Sequence, residues 1–437
     1  LSRIRRRKTG SPDAVVVLGA GVAGLAAGVR LAEAGVGVDV LEARDRAGGR
    51  VWSQEVPGCP RPVEFGAEFV HGEDRGFERL LHRSGLQAKK VRPAMWWCAD
   101  GRVRRLEGGW ERLDALFGRI PRDARDFGHW LGRAKARPVD AALARAFVHG
   151  FDAAPLDRMS APVLRSSVDE GHAIARLDGA YSELVARLVA DLQAAGGRLW
   201  LRTPVGEVGW RPSRVRVSAL AGGRTWTARA AVVALPLGVL KFGDVRFRPG
   251  LAAREPALDA VEPGHVVRVT FWLWPDAWAK GPIPAALRAR QGRAFGFLQS
   301  ARDEFPVWWA HAPHPVLVGW TGGPAARRLG ALPDEVIAQR ALRALASLLG
   351  RTPSQMRDLV VSWHLHNWTA DPFSRGGYSY ATAGAEAAPS LLAQPLEDTL
   401  FFAGEHTAGP QLLGTVPGAL GTGQRAATEV LRALRLA

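Results

Sequence analysis

At 437 residues the chain is too long for one ordinary hydrophobic core and long enough for two lobes, and an apolar share of 47% makes it globular rather than disordered. Its two cysteines, Cys59 and Cys98, exclude a disulfide framework and a cysteine-rich metal site; they could form one bridge, and the preferred reading is two thiols in a reducing, cytoplasmic setting. The formal charge of +16 comes from arginines scattered along the whole sequence, which argues for solvated faces rather than a nucleic-acid surface.

The opening "RIRRRK" falls in a basic tail, residues 1–11, with no apolar signal region after it. The uncharged run Ala14–Val29 is shorter than the roughly 20 residues a membrane span needs and contains glycines at 19, 21, 24 and 28. It reads instead as a buried strand, "AVVVLG", running into a close-packed helix that ends near Gly35. Gly19 allows the tight turn, Gly21 lets backbone approach a pyrophosphate, and Gly24 lets the helix pack on the strand, with Ala23 in the same turn. The helix N-terminus directs its amides at the phosphates. "VGVDVLEA" is the second strand, and its Glu42 is placed to accept hydrogen bonds from ribose hydroxyls. Strand, glycine turn, helix and acid together indicate dinucleotide binding.

Just beyond, "LEARDRAGGRVWS" adds Arg44, Gly48, Gly49 and Arg50. A glycine pair followed by arginine suits a loop folded back on the same pyrophosphate, with Arg50 donating charge-assisted hydrogen bonds. This extended pattern resembles the flavin-containing amine oxidase family, which includes monoamine oxidases, polyamine oxidases and histone lysine demethylases. The resemblance implies noncovalently held FAD, a small-molecule amine substrate and O2.

The resemblance continues in order along the chain. "VEFGAEFVHG" looks like the family's segment beside the flavin ring, with Gly66, Ala67, Glu68 and Phe69 in place. "TPVGEVGW" resembles the strand whose backbone meets the adenine, at Val205, and "AVVALPLGVLK" the strand and turn leaving the FAD lobe. "NWTADPFSRGGYSYATAG" is similar to the segment lining the substrate cavity. "LFFAGEHTAGPQLLGTVPGALGTGQRAATEVL" looks like the C-terminal flavin-binding strand and helix. That last stretch also reads from its own residues. A buried strand ends at Gly404, Glu405 at its carboxyl end can bind ribityl or ribose hydroxyls, and a helix starts near Thr415 and Val416 with its first amides toward the flavin.

The fold expected is α/β: a two-lobe flavin amine oxidase fold with a discontinuous Rossmann-like FAD-binding domain (12–72, 196–262 and 385–437). An α+β substrate-binding domain comes from 73–195, read as mostly helical, and 263–384, read as strands before a helix at "PDEVIAQRALRALASLLG".

Four residues are singled out by the resemblance for the chemistry. Trp368 and Tyr378 match cavity positions, but Thr415 stands where monoamine oxidases have a second sandwiching ring. His71 falls where animal polyamine oxidases carry a His, in reach of a substrate amine. Arg268 replaces the family's usual Lys, which is bridged by water to the flavin and implicated in reoxidation by O2; Arg keeps the cation but is planar and almost never deprotonated. Gly377 stands at the position of the Cys that links flavin in monoamine oxidases, so FAD is expected to be noncovalent. "GAEFVHG" lacks the Arg that L-amino-acid oxidases carry there. No metal site is found. A carboxylate-lined entry for a polycation would have to come from acids such as Glu64, Glu68, Glu73 or Asp74. The reaction expected is hydride transfer from the carbon beside an amine nitrogen to flavin, imine hydrolysis, and reoxidation giving hydrogen peroxide. A polyamine or other aliphatic amine is the preferred substrate. The alternatives are an L-amino-acid oxidase, a flavin dehydrogenase or demethylase-like enzyme with another acceptor, and a basic nucleic-acid-binding protein with structural flavin.

Overall fold

The computed structural model describes residues 14–56, 62–72, 74–91, 93–99, 102–166, 168, 174–280, 296–301, 304–311 and 314–435. The basic tail 1–11, Cys59 and Glu73 lie outside the described residues.

The β-branched run Val15–Leu18 is a four-residue strand, followed by the helix Val22–Glu33 and the strand Val38–Leu41. These strands lie at the centre of a five-stranded parallel sheet whose order is 198–200, 38–41, 15–18, 230–233 and 400–402. Strands from the beginning, middle and end of the sequence therefore build one sheet. Strand periodicity assigns its two faces. Val15 and Val17 pack under the helices, while Val16 and Leu18 pack against a four-stranded sheet formed by 205–211, 214–219, 225–228 and 246–248. Each such fully buried Val or Leu contributes on the order of 1.5–3 kcal/mol.

The helical face departs from a simple assignment of all of 73–195 to the second lobe. The helices Arg75–Arg83 and Tyr181–Ala194 place Phe77, Leu80, Leu184 and Leu188 in one core with Val22–Glu33 and the C-terminal helix Val416–Ala433. Their apolar stripes meet this core, and the sequence period alone does not name the partner a stripe will meet.

The second large sheet has seven strands, in the order 360–367, 266–273, 316–322, 307–310, 296–300, 94–99 and 102–105. Helices make up most of the regular structure described in 73–195, and the same stretch also supplies 94–99 and 102–105 to this sheet, and 88–91 and 174–177 to a small one. Those strands are short and Arg- and Trp-rich, so they show no clean apolar alternation. Val267, Val269 and Phe271 bury one face of the seven-stranded sheet against the helix Asp334–Leu348. The opposite face, carrying Arg268 and Thr270, turns toward the helices of 109–166 and an internal cavity. Cys98 is buried, with its thiol 3.5 Å from Leu348 O. Among the described residues no helix is long and apolar enough to cross a membrane.

Candidate active site

The turn after Val15–Leu18 has a backbone that side chains would obstruct. Gly19 has φ of +100°, and a Cβ there would lie 2.8 Å from Ala234 O. A Cβ at Gly24 would come 1.9 Å from Gly19 O, so the helix closes on the turn only without one. Gly21 differs: a Cβ there would meet no atom and would project into the cavity. The loop 48–50 folds back onto this turn. Gly48 N donates to Ala20 O at 2.8 Å, and a Cβ on Gly49 would lie 3.4 Å from Gly21 Cα. Glu42 accepts from Ala20 N at 2.8 Å and Arg44 N at 2.9 Å; burial pushes its carboxyl up, against those two bonds. The helix Val22–Glu33 starts at Gly21 with no side chain capping its first amides. Open space at Gly21, uncapped amides and a carboxylate ending the second strand fit the pyrophosphate and ribose of a dinucleotide.

The cavity reached from this cradle has a volume of about 1020 Å³ and extends to the face of the seven-stranded sheet. That is at the top of the range of about 300–1,000 Å³ for small-molecule sites, room for a cofactor and a substrate together. Arg50 links the two ends of the chain at its wall, with Nη1 2.7 Å from Glu405 Oε1 and bonded also to Gly377 O. Ser379 holds the same carboxylate through its hydroxyl at 2.9 Å and its amide at 3.3 Å. Burial works against charge on Glu405, but Arg50 and His406 outweigh it and hold the carboxyl below its usual range. Thr415 caps the C-terminal helix by accepting from Gly418 N at 3.0 Å, and Val416 begins it at the cavity wall.

Strand alternation turns Arg268 into the protein, where it is 1% exposed. Its Nη2 lies 2.8 Å from Glu68 Oε2. The same carboxylate meets Arg176 at 3.1 Å, Trp309 Nε1 at 3.0 Å and His311 at 3.0 Å. Burial opposes charge on Glu68, but His311, Arg268 and Arg176 prevail and hold it well below the usual carboxylate range. Arg268 Nε has no protein acceptor, which leaves one buried donor for a ligand or water at the cavity wall.

Every residue assigned from the sequence to the cofactor or to the chemistry, except Gly24, lines this one cavity. Gly24 lies behind it, in the helix–strand contact. His71 ends the strand Phe69–His71 and lines the cavity, with its side chain exposed there. Trp368 is 2% exposed and donates from Nε1 to Phe65 O at 2.9 Å. Tyr378 donates its hydroxyl to Phe151 O, and its ring lies 6.4 Å from that of Trp320 at an interplanar angle of 9°.

The acids picked from the sequence as a cation path need correction. Glu64 is held by Ser53 Oγ at 2.7 Å and Tyr181 N at 2.9 Å and does not line the cavity. Glu68 is bound by its four partners, and Asp74 caps a helix by accepting from Phe77 N. Sequence reasoning also missed most of the aromatic wall. Phe297, Trp309 and Trp320 stand beside Phe151 and Tyr378 because of the strand register pairing 296–300, 307–310 and 316–322. Alternation in "VWWA" puts Trp308 and Trp309 on opposite faces of their strand, but does not say what either face meets.

A parallel sheet with a glycine cradle, joined by one cavity to an aromatic-walled second sheet, defines a dinucleotide-dependent oxidoreductase fold. The family profile described as flavin containing amine oxidoreductase matches residues 22–431, and the chain belongs to that family, whose members use FAD. It is 29% identical over 467 residues to polyamine oxidase 3 of Oryza sativa subsp. japonica, covering 97% of this chain and 90% of that protein. It is 26% identical to lysine-specific histone demethylase 1 homolog 2 of Arabidopsis thaliana, covering 97% of this chain and 59% of the relative. Among solved structures, a double mutant of putrescine oxidase from a redesign of its cofactor binding superposes with a TM-score of 0.77 at 21% identity, covering 96% of this chain and 99% of that one. Cyclohexylamine oxidase from Brevibacterium oxydans superposes with a TM-score of 0.76 at 21% identity, covering 97% and 99%. These two likenesses concern the fold, the two-lobe flavin amine oxidase fold expected from the sequence.

Proposed function

We propose that this protein oxidises an aliphatic amine, with FAD held in the Gly19–Gly49 cradle and the amine in the aromatic end of the same cavity. When bound, FAD supplies the two-electron acceptor for the C–H bond beside the amine nitrogen, and O2 restores it with release of hydrogen peroxide. The observation that carries the reading is the single cavity joining the cradle to Trp368, Tyr378 and Trp320. Gly19, Gly21, Ala23, Glu42, Arg44, Gly49 and Val205 would hold the nucleotide half. Gly66, Ala67, Phe69, Gly404, Glu405, Thr415 and Val416 would surround the flavin half.

The protein groups contribute by binding and by excluding water. An amine must lose its proton before its α-carbon gives up hydride, and a dry aromatic pocket disfavours the ammonium form. His71, at the cavity wall, can exchange a hydrogen bond with the uncharged nitrogen. The Arg268 guanidinium, locked to Glu68, holds a fixed positive charge at the wall and cannot serve as a proton acceptor. The imine formed leaves for water, where it hydrolyses.

The four arginines that line the cavity among the described residues favour an amine over an amino acid, since each already has a carboxylate. Arg44 lies 2.6 Å from Asp371, Arg50 2.7 Å from Glu405, Arg268 2.8 Å from Glu68 and Arg375 3.0 Å from Asp244. A substrate carboxylate would have to break one of these pairs. The test is stopped-flow absorbance of the purified holoprotein mixed anaerobically with monoamines, polyamines and amino acids, then with air. Flavin bleaching by amines and not by amino acids is expected. Failure of every amine to bleach it would overturn the proposal.

A further inference from the structure

We propose that Asp152 receives a second, positively charged nitrogen of the substrate, which matches the cavity to an aliphatic diamine or polyamine. The inference rests on the amine-oxidase reading above and assigns the group that selects within it. Among the described residues five carboxylates line the cavity: Glu42, Glu68, Asp152, Asp244 and Glu405. Four of them are engaged, Glu42 by backbone amides and the others by Arg268, Arg375 and Arg50. Asp152 Oδ2 is buried with no hydrogen-bond partner among the described residues. No arginine or lysine is among the causes acting on its carboxyl, which burial alone pushes up to about 7.

The backbone around Asp152 is pinned on both sides. Gly150 O accepts from Trp320 Nε1 at 2.8 Å, and Phe151 O accepts from the Tyr378 hydroxyl. Asp152 thus sits beside Tyr378, whose ionisation it opposes. The rings of Phe151 and Phe297 lie 5.0 Å apart, Phe297 and Trp309 5.8 Å, and Trp309 and Trp320 6.0 Å, forming an apolar track for a methylene chain. Aromatic faces also attract a cation near its end. A dry site holding an unmatched acid favours a ligand that brings a cation and its own hydrogen-bond donors, and an ammonium on a flexible chain is that group. One nitrogen of a diamine can then lie neutral at the redox end while the other, protonated, meets Asp152.

The experiment compares 1,4-diaminobutane and 1,6-diaminohexane with 1-aminobutane and 1-aminohexane on wild-type, Asp152→Asn and Asp152→Ala holoproteins. Flavin absorbance confirms that each variant is folded and loaded. In anaerobic flavin reduction the variants are expected to weaken the apparent affinity for at least one diamine about 10- to 100-fold, the range one charge-assisted hydrogen bond supplies. Monoamines should stay within about twofold. Calorimetric binding of the same diamines provides a second readout that needs no turnover. Equal losses for diamines and monoamines, or no loss for either, would overturn the assignment. If wild-type flavin is reduced by no amine, the oxidase reading falls on its own. Diamine binding that Asp152→Asn abolishes would then still uphold the carboxylate as a cation receptor, and unchanged binding would refute it.

Discussion

Replacing Glu68 by Gln tests the charge cluster at the back of the cavity. Glu68 and Arg268 have side-chain exposures of 5% and 1% and lie 2.8 Å apart. Removing one partner of a buried pair costs about 3–5 kcal/mol, because the other charge is left without compensation. In a 437-residue chain the unfolding entropy is about 0.9 kcal/mol per degree, so the midpoint should fall by about 3–5 °C. Arg268→Met should cost less, since Glu68 keeps Arg176, His311 and Trp309. The double variant Glu68→Gln with Arg268→Met should be more stable than Glu68→Gln alone, as no arginine is then stranded in the sheet face. Thermal unfolding of the three holoproteins followed by circular dichroism completes the cycle. The reasoning is refuted if the double variant is as unstable as, or less stable than, Glu68→Gln, or if the single variant leaves the midpoint unchanged.

The remaining predictions concern the cradle, the unpaired acid and the guanidinium. Gly21→Ala should leave the apoprotein midpoint within about 1 °C but lose FAD on gel filtration, because its methyl enters only the cavity, whereas Gly24→Ala should lower the apoprotein midpoint as well, its Cβ meeting Gly19 O. Burial holds the Asp152 carboxyl at about 7 instead of 3.8, so the folded state disfavours its ionisation. The resulting loss of stability is absent below about pH 4, grows as pH rises between these values and is complete above about pH 7. Asp152→Asn should therefore raise the midpoint at pH 8 by a few degrees and leave it unchanged near pH 4; an equal effect at both would contradict this. Arg268→Lys and Arg268→Met should change the rate at which air reoxidises reduced flavin, and an unchanged rate in both would remove Arg268 from that step.

Much of the architecture was legible because its signals are local. The run at 14–18, the three glycines after it and Glu42 lie within one strand–helix–strand unit, where backbone sterics and period-two burial act over a few residues. The same holds for Gly404, Glu405 and the helix starting at Val416. The partners of these groups were not legible. Arg50 and Glu405 are 355 residues apart in sequence, and Arg268 and Glu68 are 200 apart. Either arginine could have met any of many acids in a chain with 42 Asp and Glu. Glu64 and Asp74 drew attention by proximity to the flavin-side segment, yet backbone and hydroxyl donors hold both.

By itself the sequence determined that a dinucleotide cradle exists and which residues turn inward on each strand, since both follow from backbone geometry and alternation. Only the tertiary structure decided which inward faces meet. Sheet order and register set Trp320 against Tyr378, turn Arg268 onto Glu68, and leave Asp152 as an unpartnered carboxylate among aromatic rings. Those pairings depend on long-range packing of the whole chain, and no short segment carries the free energy that selects them.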